Sequence, residues 1–190
     1  WDMRMGSHTS WFFDPTAQFL ANRGYLVAQV NTRGSGGRGQ AFLSMGDGQW
    51  NGHILDDLTD ASRQLIHAGY ADPMRICTMG THLGAYIAMR AAIQQPDVFR
   101  CVIGDSGIYD LSNLHRQAFF GHTSAGRAVL RTVLGEDDDA LHRQSPIRLA
   151  AGLSASVLLI HGTNDIWYPY VQAKDMQDAL KNSGNPPVMA

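Results

Sequence analysis

Short apolar runs alternate along the chain with longer segments of helical periodicity, and this alternation restricts the fold more than any other feature. Four runs have the length and composition of buried strands, at residues 25–30, 75–79, 100–104 and 157–161. Strands that alternate with helices favour a mainly parallel sheet with helices on both faces. We therefore expect an α/β fold in which the strand at 75–79 lies near the centre of the sheet.

Capping residues and periodicity set the expected helices. Asp14 followed by Pro15 is typical of a helix start, and Gly24 is expected to end that helix. Segment 53–67 carries apolar residues on one helical face and aspartates on the other, so it predicts an amphipathic helix. A final helix is expected at about residues 170–181.

Composition restricts the class of protein. A chain of 190 residues, 44% hydrophobic and 17% charged, suits one globular domain with a substantial core. A net charge of −2 gives no electrostatic reason to bind nucleic acid or an anionic membrane, and no apolar run approaches the roughly 18 residues that span a bilayer. Without a legible signal peptide, the expected location is cytoplasmic. Cys77 and Cys101 lie in strand-like runs and are expected to be buried free thiols.

Functional sites in parallel sheets form in the loops beyond the carboxyl ends of the strands. Two of these loops carry motifs whose context is wrong. Residues 34–39 match the G-x-G-x-x-G spacing of dinucleotide sites, but three residues separate them from the strand, and the acidic residues downstream lie on a helix. Residues 104–107, GDSG, resemble a trypsin-like serine loop, which belongs to all-β barrels. We interpret both as structural loops.

The loop at 80–84 carries a stronger motif. A short apolar run, Gly80, three residues, Gly84 and a helical segment follow the layout of a nucleophile elbow, G-x-S-x-G. His82 stands where a hydrolase has serine. Histidine is among the few residues enriched in left-handed conformations, so it can occupy the turn. An imidazole does not replace the activated hydroxyl of an acyl-enzyme mechanism, and a plain strand–turn–helix junction is the alternative interpretation.

Five stretches, in order along the chain, are similar to the catalytic domain of the prolyl oligopeptidase family of serine peptidases, which includes dipeptidyl and acylaminoacyl peptidases. They are QFLANRGYLVAQVNTRGSGGRGQAFL, GQWNGHILDDLTDA, ADPMRICTMGTHLGAYIAM, QPDVFRCVIGDSGIYDL and VLLIHGTND. The resemblance implies the α/β-hydrolase fold, incomplete at both ends, as a single domain over residues 1–190. It also implies short peptides as substrates, and no cofactor or metal.

The residues that the resemblance carries over give a mixed result. The elbow glycines and Tyr86 match the family, whereas His82 occupies the position of the nucleophile serine. The HGTND loop puts Asp165 at the position of the triad acid, and the backbone N–H of Leu83 is the implied oxyanion donor. A second oxyanion contribution comes from an upstream loop in the family, and residues 2–10 do not match it. The triad histidine follows the acid in this fold, and the 190 residues end before one occurs.

These departures predict a domain without useful turnover, because loss of a triad serine costs about 10⁶ in kcat. Family members also carry an N-terminal β-propeller, and these residues contain none. Two classes stay open: a hydrolase domain whose full-length parent retains some chemistry, and a pseudoenzyme used for binding or for dimerisation as a homo-oligomer. Thr81 and Ser106 are the nearest alternative hydroxyls, but neither is at the apex of the elbow. His82 is expected either to approach Asp165 or to face solvent.

Overall fold

A four-stranded parallel sheet organises the part of the chain that the computed structural model describes, residues 8, 9 and 11–190. The strands follow one another across the sheet in chain order. They are β1 (Cys77–Thr81), β2 (Cys101–Asp105), β3 (Ser156–Ile160) and β4 (Val188–Met189). Three of these strands agree with the predicted runs, and β4 is an addition. The short β4 is not visible in the sequence because two residues carry no periodicity.

Eight α-helices are assigned in the described residues. They are α1 (Pro15–Ala21), α2 (Gln40–Ser44), α3 (His53–His67), α4 (Leu83–Gln94), α5 (Leu114–Gln117), α6 (Ser124–Leu134), α7 (Asp138–Gln144) and α8 (Val171–Asn182). The predicted helices at the N-terminus, at 53–67 and near the C-terminus are confirmed. The Asp14 carboxylate accepts a hydrogen bond from the Ala17 amide, as the capping signal predicts. None of the helices in the described residues is long and apolar enough to cross a membrane.

Helix α4 lies at the centre of the core. It packs against β1, β2 and α3, and a continuous stretch from Ala85 to Ala92 is buried. A helix that is buried on most of its faces must be apolar nearly all round. The sequence LGAYIAMRAAIQ meets this requirement, apart from Arg90, whose guanidinium bonds the side chain of Asn51. The elbow that precedes α4 is therefore fixed to the core on its helical side.

The glycine-rich loop at 31–40 is anchored to α3. The backbone N–H of Arg33 donates to Asp57 Oδ2 at 2.7 Å, and its guanidinium Nε is 3.0 Å from both carboxylate oxygens. This pair fastens the loop to α3. Gly34 also approaches Gly46 so closely that a side chain on Gly46 would overlap its backbone. Gly34 and Gly46 therefore permit a close backbone contact that holds this loop in place.

Two predictions about the sheet are wrong. Residues 25–30 are not part of it, although their sequence favours a strand, and β1 is an edge strand rather than a central one. β1 is at the edge of the sheet because, among the described residues, it pairs with β2 alone. Residues 28–32 face β1 across a cavity instead of pairing with it. Apolar composition predicts the strand conformation of a segment but does not identify its neighbour.

The expectation of buried free thiols is also wrong. Cys77 and Cys101 form a disulfide, with their Cα atoms 4.5 Å apart. The parallel register places the two residues directly opposite each other at the start of β1 and β2, within the range that a disulfide spans. Cys77 is exposed and Cys101 half-buried. The pairing depends on strand register, which the two separate runs of sequence do not reveal.

We predict that the unfolded chain has no titratable thiol until a reductant is added, and two thiols afterwards. Because the bridge closes a loop with a sequence separation of 24, its reduction should lower the free energy of unfolding by about 3 kcal/mol. Urea unfolding with and without reductant measures the loss. The Cys77→Ser/Cys101→Ser variant is the control and should not respond to reductant. Two thiols without reduction would contradict the pairing.

Candidate active site

Three strands of the sheet end side by side at the carboxyl edge. Thr81, Asp105 and Ile160 are opposite one another in the β1–β2–β3 register. The next residue of β1, His82, donates its backbone N–H to the Asp105 carbonyl at 2.9 Å. The next residue of β2, Ser106, donates its N–H to the Ile160 carbonyl at 2.8 Å. The loops that begin here are therefore held together by main-chain hydrogen bonds before any side chain contributes.

The 80–84 turn has the geometry of a nucleophile elbow. His82 adopts φ 54° and ψ −115°, and α4 begins at the next residue. The His82 carbonyl accepts hydrogen bonds from the amides of Ala85 at 3.2 Å and Ile108 at 3.3 Å. A side chain on Gly80 would overlap the backbone of Gly84. The close approach of strand and helix therefore requires glycine at position 80, and the reversal places residue 82 at the apex of the turn, as the motif predicts.

Ser106 is the second residue with an unusual backbone. Within the described residues, His82 and Ser106 are the two non-glycine residues with positive φ, at 54° and 48°. Such conformations cost about 1–3 kcal/mol each and are concentrated at functional sites. The Ser106 hydroxyl is 3.1 Å from Asp105 Oδ1, to which it donates a hydrogen bond. The carboxyl edge thus has two adjacent residues whose side chains are presented by a strained backbone.

Asp165 lies in the loop after β3, on the same edge as His82 and two strands away from β1, as expected. Its Oδ1 accepts hydrogen bonds from the amides of Trp167 and Tyr168, both at 2.9 Å. Its Oδ2 is 4.0 Å from His161 Nε2. Two main-chain donors therefore determine the orientation of this carboxylate.

His161 stabilises the loop after β3 through a hydrogen bond to the main chain. Its side chain is fully buried, and Nε2 is 2.6 Å from the Tyr168 carbonyl oxygen. A carbonyl only accepts, so Nε2 carries the proton in this hydrogen bond. The sequence shows His161 only as part of the H-G-x-x-D pattern and gives no sign that it anchors the loop. The one signal in the sequence for this role is a histidine directly before a glycine at the end of an apolar run.

The His82 ring stacks on the Tyr168 ring, with centroids 4.2 Å apart and planes inclined by 19°. His82 is half-buried, so the expectation of a solvent-facing side chain is wrong. The contact that His82 makes with the loop after β3 is this ring contact with Tyr168. The hydrogen bond between His82 and Asp165 stays a prediction. Sequence reasoning missed Tyr168, which joins the elbow to the acid loop.

A buried glutamine holds the loop at 105–110 in place. Gln172 Oε1, from α8, accepts hydrogen bonds from the amides of Tyr109 at 2.9 Å and Asp110 at 2.7 Å. Gln172 Nε2 donates to the Asp110 carbonyl at 3.2 Å. The Asp110 carboxylate in turn accepts from Ser112 and Asn113. Burial raises the pKa of the Asp110 carboxyl, but the hydrogen bonds outweigh it and the net pKa is lowered below 3.8.

An apolar rim borders this edge of the sheet. Phe119, Ile166 and Trp167 are each more than half exposed. The rings of Phe119 and Trp167 meet edge to face with centroids 5.1 Å apart, and the Phe119 amide donates to the Ile166 carbonyl at 3.3 Å. We call these three residues the aromatic rim. In the described residues there is no cluster of three or more histidine, cysteine, aspartate or glutamate side chains that could hold a metal.

Comparison with known proteins agrees with this geometry. A family model for the prolyl oligopeptidase family matches residues 11–190. The chain is 32% identical over 170 residues to dipeptidyl aminopeptidase BIII of Pseudoxanthomonas mexicana, a match that covers 86% of the chain and 24% of that relative.

Solved structures share the fold. Acylaminoacyl peptidase of Pyrococcus horikoshii superposes with a TM-score of 0.87 at 24% identity, over 97% of this chain and 30% of that protein. A puromycin-hydrolyzing peptidase of Mycobacterium tuberculosis superposes with a TM-score of 0.78 at 28% identity, over 84% of this chain and 24% of that protein. The expected α/β-hydrolase fold is confirmed. The chain spans about a quarter of the length of these relatives.

We predict that Gly80→Ala lowers the free energy of unfolding by about 3 kcal/mol or more, because its methyl group would overlap the backbone of α4. Gly162→Ala is the matched control. An added methyl there meets no atom within 4 Å, so the change should stay within about 0.5 kcal/mol. Urea unfolding of both variants provides the measurement. Equal stabilities of the two variants would show that the elbow does not need its glycine.

The lowered pKa of Asp110 predicts a pH dependence. Its folded pKa is below the unfolded value of 3.8, so its contribution to stability is fully present above pH 3.8 and is lost as pH falls through the folded value. Asp110→Asn should therefore be less stable than wild type at pH 7, and the difference should shrink below about pH 4. Exposed Asp175→Asn is the control. A difference that stays constant between pH 7 and pH 3 would refute the assignment.

Proposed function

Because the chain belongs to the prolyl oligopeptidase family, we propose that residues 1–190 form a peptidase-type domain that binds short peptides without hydrolysing them. The observation that carries this proposal is His82 at the apex of the elbow, with φ 54°. The backbone there has the conformation that presents a nucleophile, and the side chain is not one that forms a serine-type acyl-enzyme.

The proposed roles follow from position at the carboxyl edge. His82 occupies the place of the nucleophile, and Asp165 that of the acid which orients a catalytic histidine. The Leu83 amide is the oxyanion donor, since it is at the first position of α4, where backbone N–H groups have no partner within the helix. The fixed orientation of the Asp165 carboxylate by two amides supports its assignment.

Two nearby hydroxyls are poor substitutes for the serine. Thr81 is the last residue of β1 and precedes the apex. Ser106 presents its hydroxyl from a strained backbone, but that hydroxyl is hydrogen-bonded to the carboxylate of its own neighbour, Asp105. A nucleophilic serine needs a base that is in turn oriented by a third group. Neither residue is at the apex of the elbow, the position directly before Leu83.

The aromatic rim favours binding as the retained function. Exposed aromatic side chains next to a polar cleft are typical of recognition sites. Phe119 and Trp167 would contact an apolar side chain of a peptide while its carbonyl oxygen meets the Leu83 amide. Dimerisation through the same rim is the alternative, because a homodimer would bury these rings equally well. Sedimentation of the chain with and without peptide distinguishes the two uses.

We predict that the chain is not labelled by fluorophosphonate probes and does not cleave dipeptidyl or aminoacyl nitroanilides. The reason is that His82 stands in place of the serine that would form the acyl-enzyme. Active-site labelling followed by mass spectrometry provides the measurement.

The control for this experiment is an active serine peptidase labelled in parallel. Stoichiometric labelling of the unmodified chain would overturn the proposal, and the labelled residue would identify the true nucleophile. Labelling that disappears in Ser106→Ala but persists in Thr81→Ala would assign the chemistry to Ser106.

A further inference from the structure

The aromatic rim is built from two separate parts of the chain. Phe119 follows α5, in the segment that leads away from β2, whereas Ile166 and Trp167 belong to the loop after β3. The two parts meet through the ring contact of Phe119 with Trp167 and through the bond from the Phe119 amide to the Ile166 carbonyl. All three side chains are more than half exposed, so their spacing depends on the segments that carry them.

Gln172, near the start of α8, joins these segments. Its side chain is buried, with 2% exposed. Oε1 accepts hydrogen bonds from the amides of Tyr109 and Asp110, and Nε2 donates to the Asp110 carbonyl and to Gln117 Oε1. These four bonds use every donor and acceptor of a side-chain amide. The orientation of the Gln172 amide is therefore determined by its partners.

The four bonds hold both ends of the segment between β2 and the rim. Tyr109 and Asp110 are at its start, and Gln117 is the last residue of α5. Ala118 alone separates Gln117 from Phe119, and Ala118 is fully buried. The chain between Gln117 and Phe119 therefore has little freedom, so a displacement of Gln117 also displaces Phe119.

The bond between Gln172 and Gln117 is the one of the four that stability requires least. Gln117 is half-buried, and water can replace a hydrogen bond to a partly exposed group. The amides of Tyr109 and Asp110 keep their acceptor if this bond is lost. Its loss would instead release the end of α5 and, with it, one part of the rim.

We propose that Gln117, held by Gln172, is a positioning residue that determines the selectivity of the peptide site for a large apolar side chain. The proposal rests on the proposed function, in which Phe119 and Trp167 contact that side chain of the peptide. A large side chain contacts both rings only while their spacing is maintained, whereas a methyl group gains little from either ring. Loss of the bond should therefore weaken binding of the larger peptide side chain selectively.

The test compares the affinities of two tripeptides, Ala-Phe-Ala and Ala-Ala-Ala, by calorimetry. The unmodified chain should bind Ala-Phe-Ala more tightly by about tenfold, and Gln117→Leu should reduce this preference to about twofold. Gln117→Glu should keep the preference, because its carboxylate still accepts the bond from Gln172. Gln64→Leu, the same substitution at an exposed position of α3, should also keep it. A purely structural role would weaken binding of both tripeptides equally and leave the preference as it is.

Phe119→Ala shows whether the effect acts through the rim. This variant should lose the preference for Ala-Phe-Ala, and adding Gln117→Leu to it should cause no further loss, because residues that act through one contact are not additive. Additive losses, or an unchanged preference in Gln117→Leu, would overturn the proposal.

A readout without peptide separates this proposal from the proposed function. The indole N–H signal of Trp167, assigned with Trp167→Phe in NMR spectra, reports on the adjacent ring of Phe119. The signal should shift in Gln117→Leu and stay in place in Gln117→Glu and Gln64→Leu. If the unmodified chain binds neither tripeptide while the signal shifts as expected, the proposed function fails and the positioning role stands. An indole signal that does not move in Gln117→Leu would refute the positioning role.

Discussion

The contact between Gly80 and the first turn of α4 is the constraint on which the rest of the domain depends. No side chain fits between strand and helix at this point. Their close approach forces the reversal at His82 and brings α4 down onto β1 and β2. The buried residues of that helix then supply more of the apolar core than any other helix of the described residues. The end of β1, the conformation of the turn and the packing of α4 in the core therefore all depend on the same contact.

From this point the carboxyl edge is assembled mainly through the backbone. The ends of β1, β2 and β3 exchange main-chain hydrogen bonds, and Asp165 is oriented by two amides. Side chains enter at the last stage, where His161 bonds the Tyr168 carbonyl and Tyr168 stacks on His82. An aromatic contact thus connects the first loop of the site to the third. The side chain of His82, at the apex, therefore packs against Tyr168.

Features with a local cause are predictable from this sequence. The elbow, the helix at 53–67 and the position of Asp165 follow from glycine spacing, periodicity and strand order. Features that depend on the choice of neighbour are not. The Cys77–Cys101 bridge requires the register of two strands, and the role of Tyr168 requires the folded position of a loop. The apolar run at 25–30 favours a strand, yet none is assigned there, because the pairing partner that a strand needs is not a property of the run itself.

The main-chain construction of the elbow also bears on how such a domain changes over evolutionary time. Because Gly80 and the backbone bonds of residue 82 set the turn, the turn itself does not depend on which side chain stands at its apex. Selection for a stable, abundant protein therefore protects the glycines and ignores the apex. Only selection for turnover can keep a serine there. Once that pressure lapses, the nucleophile is free to drift while the architecture around it persists unchanged.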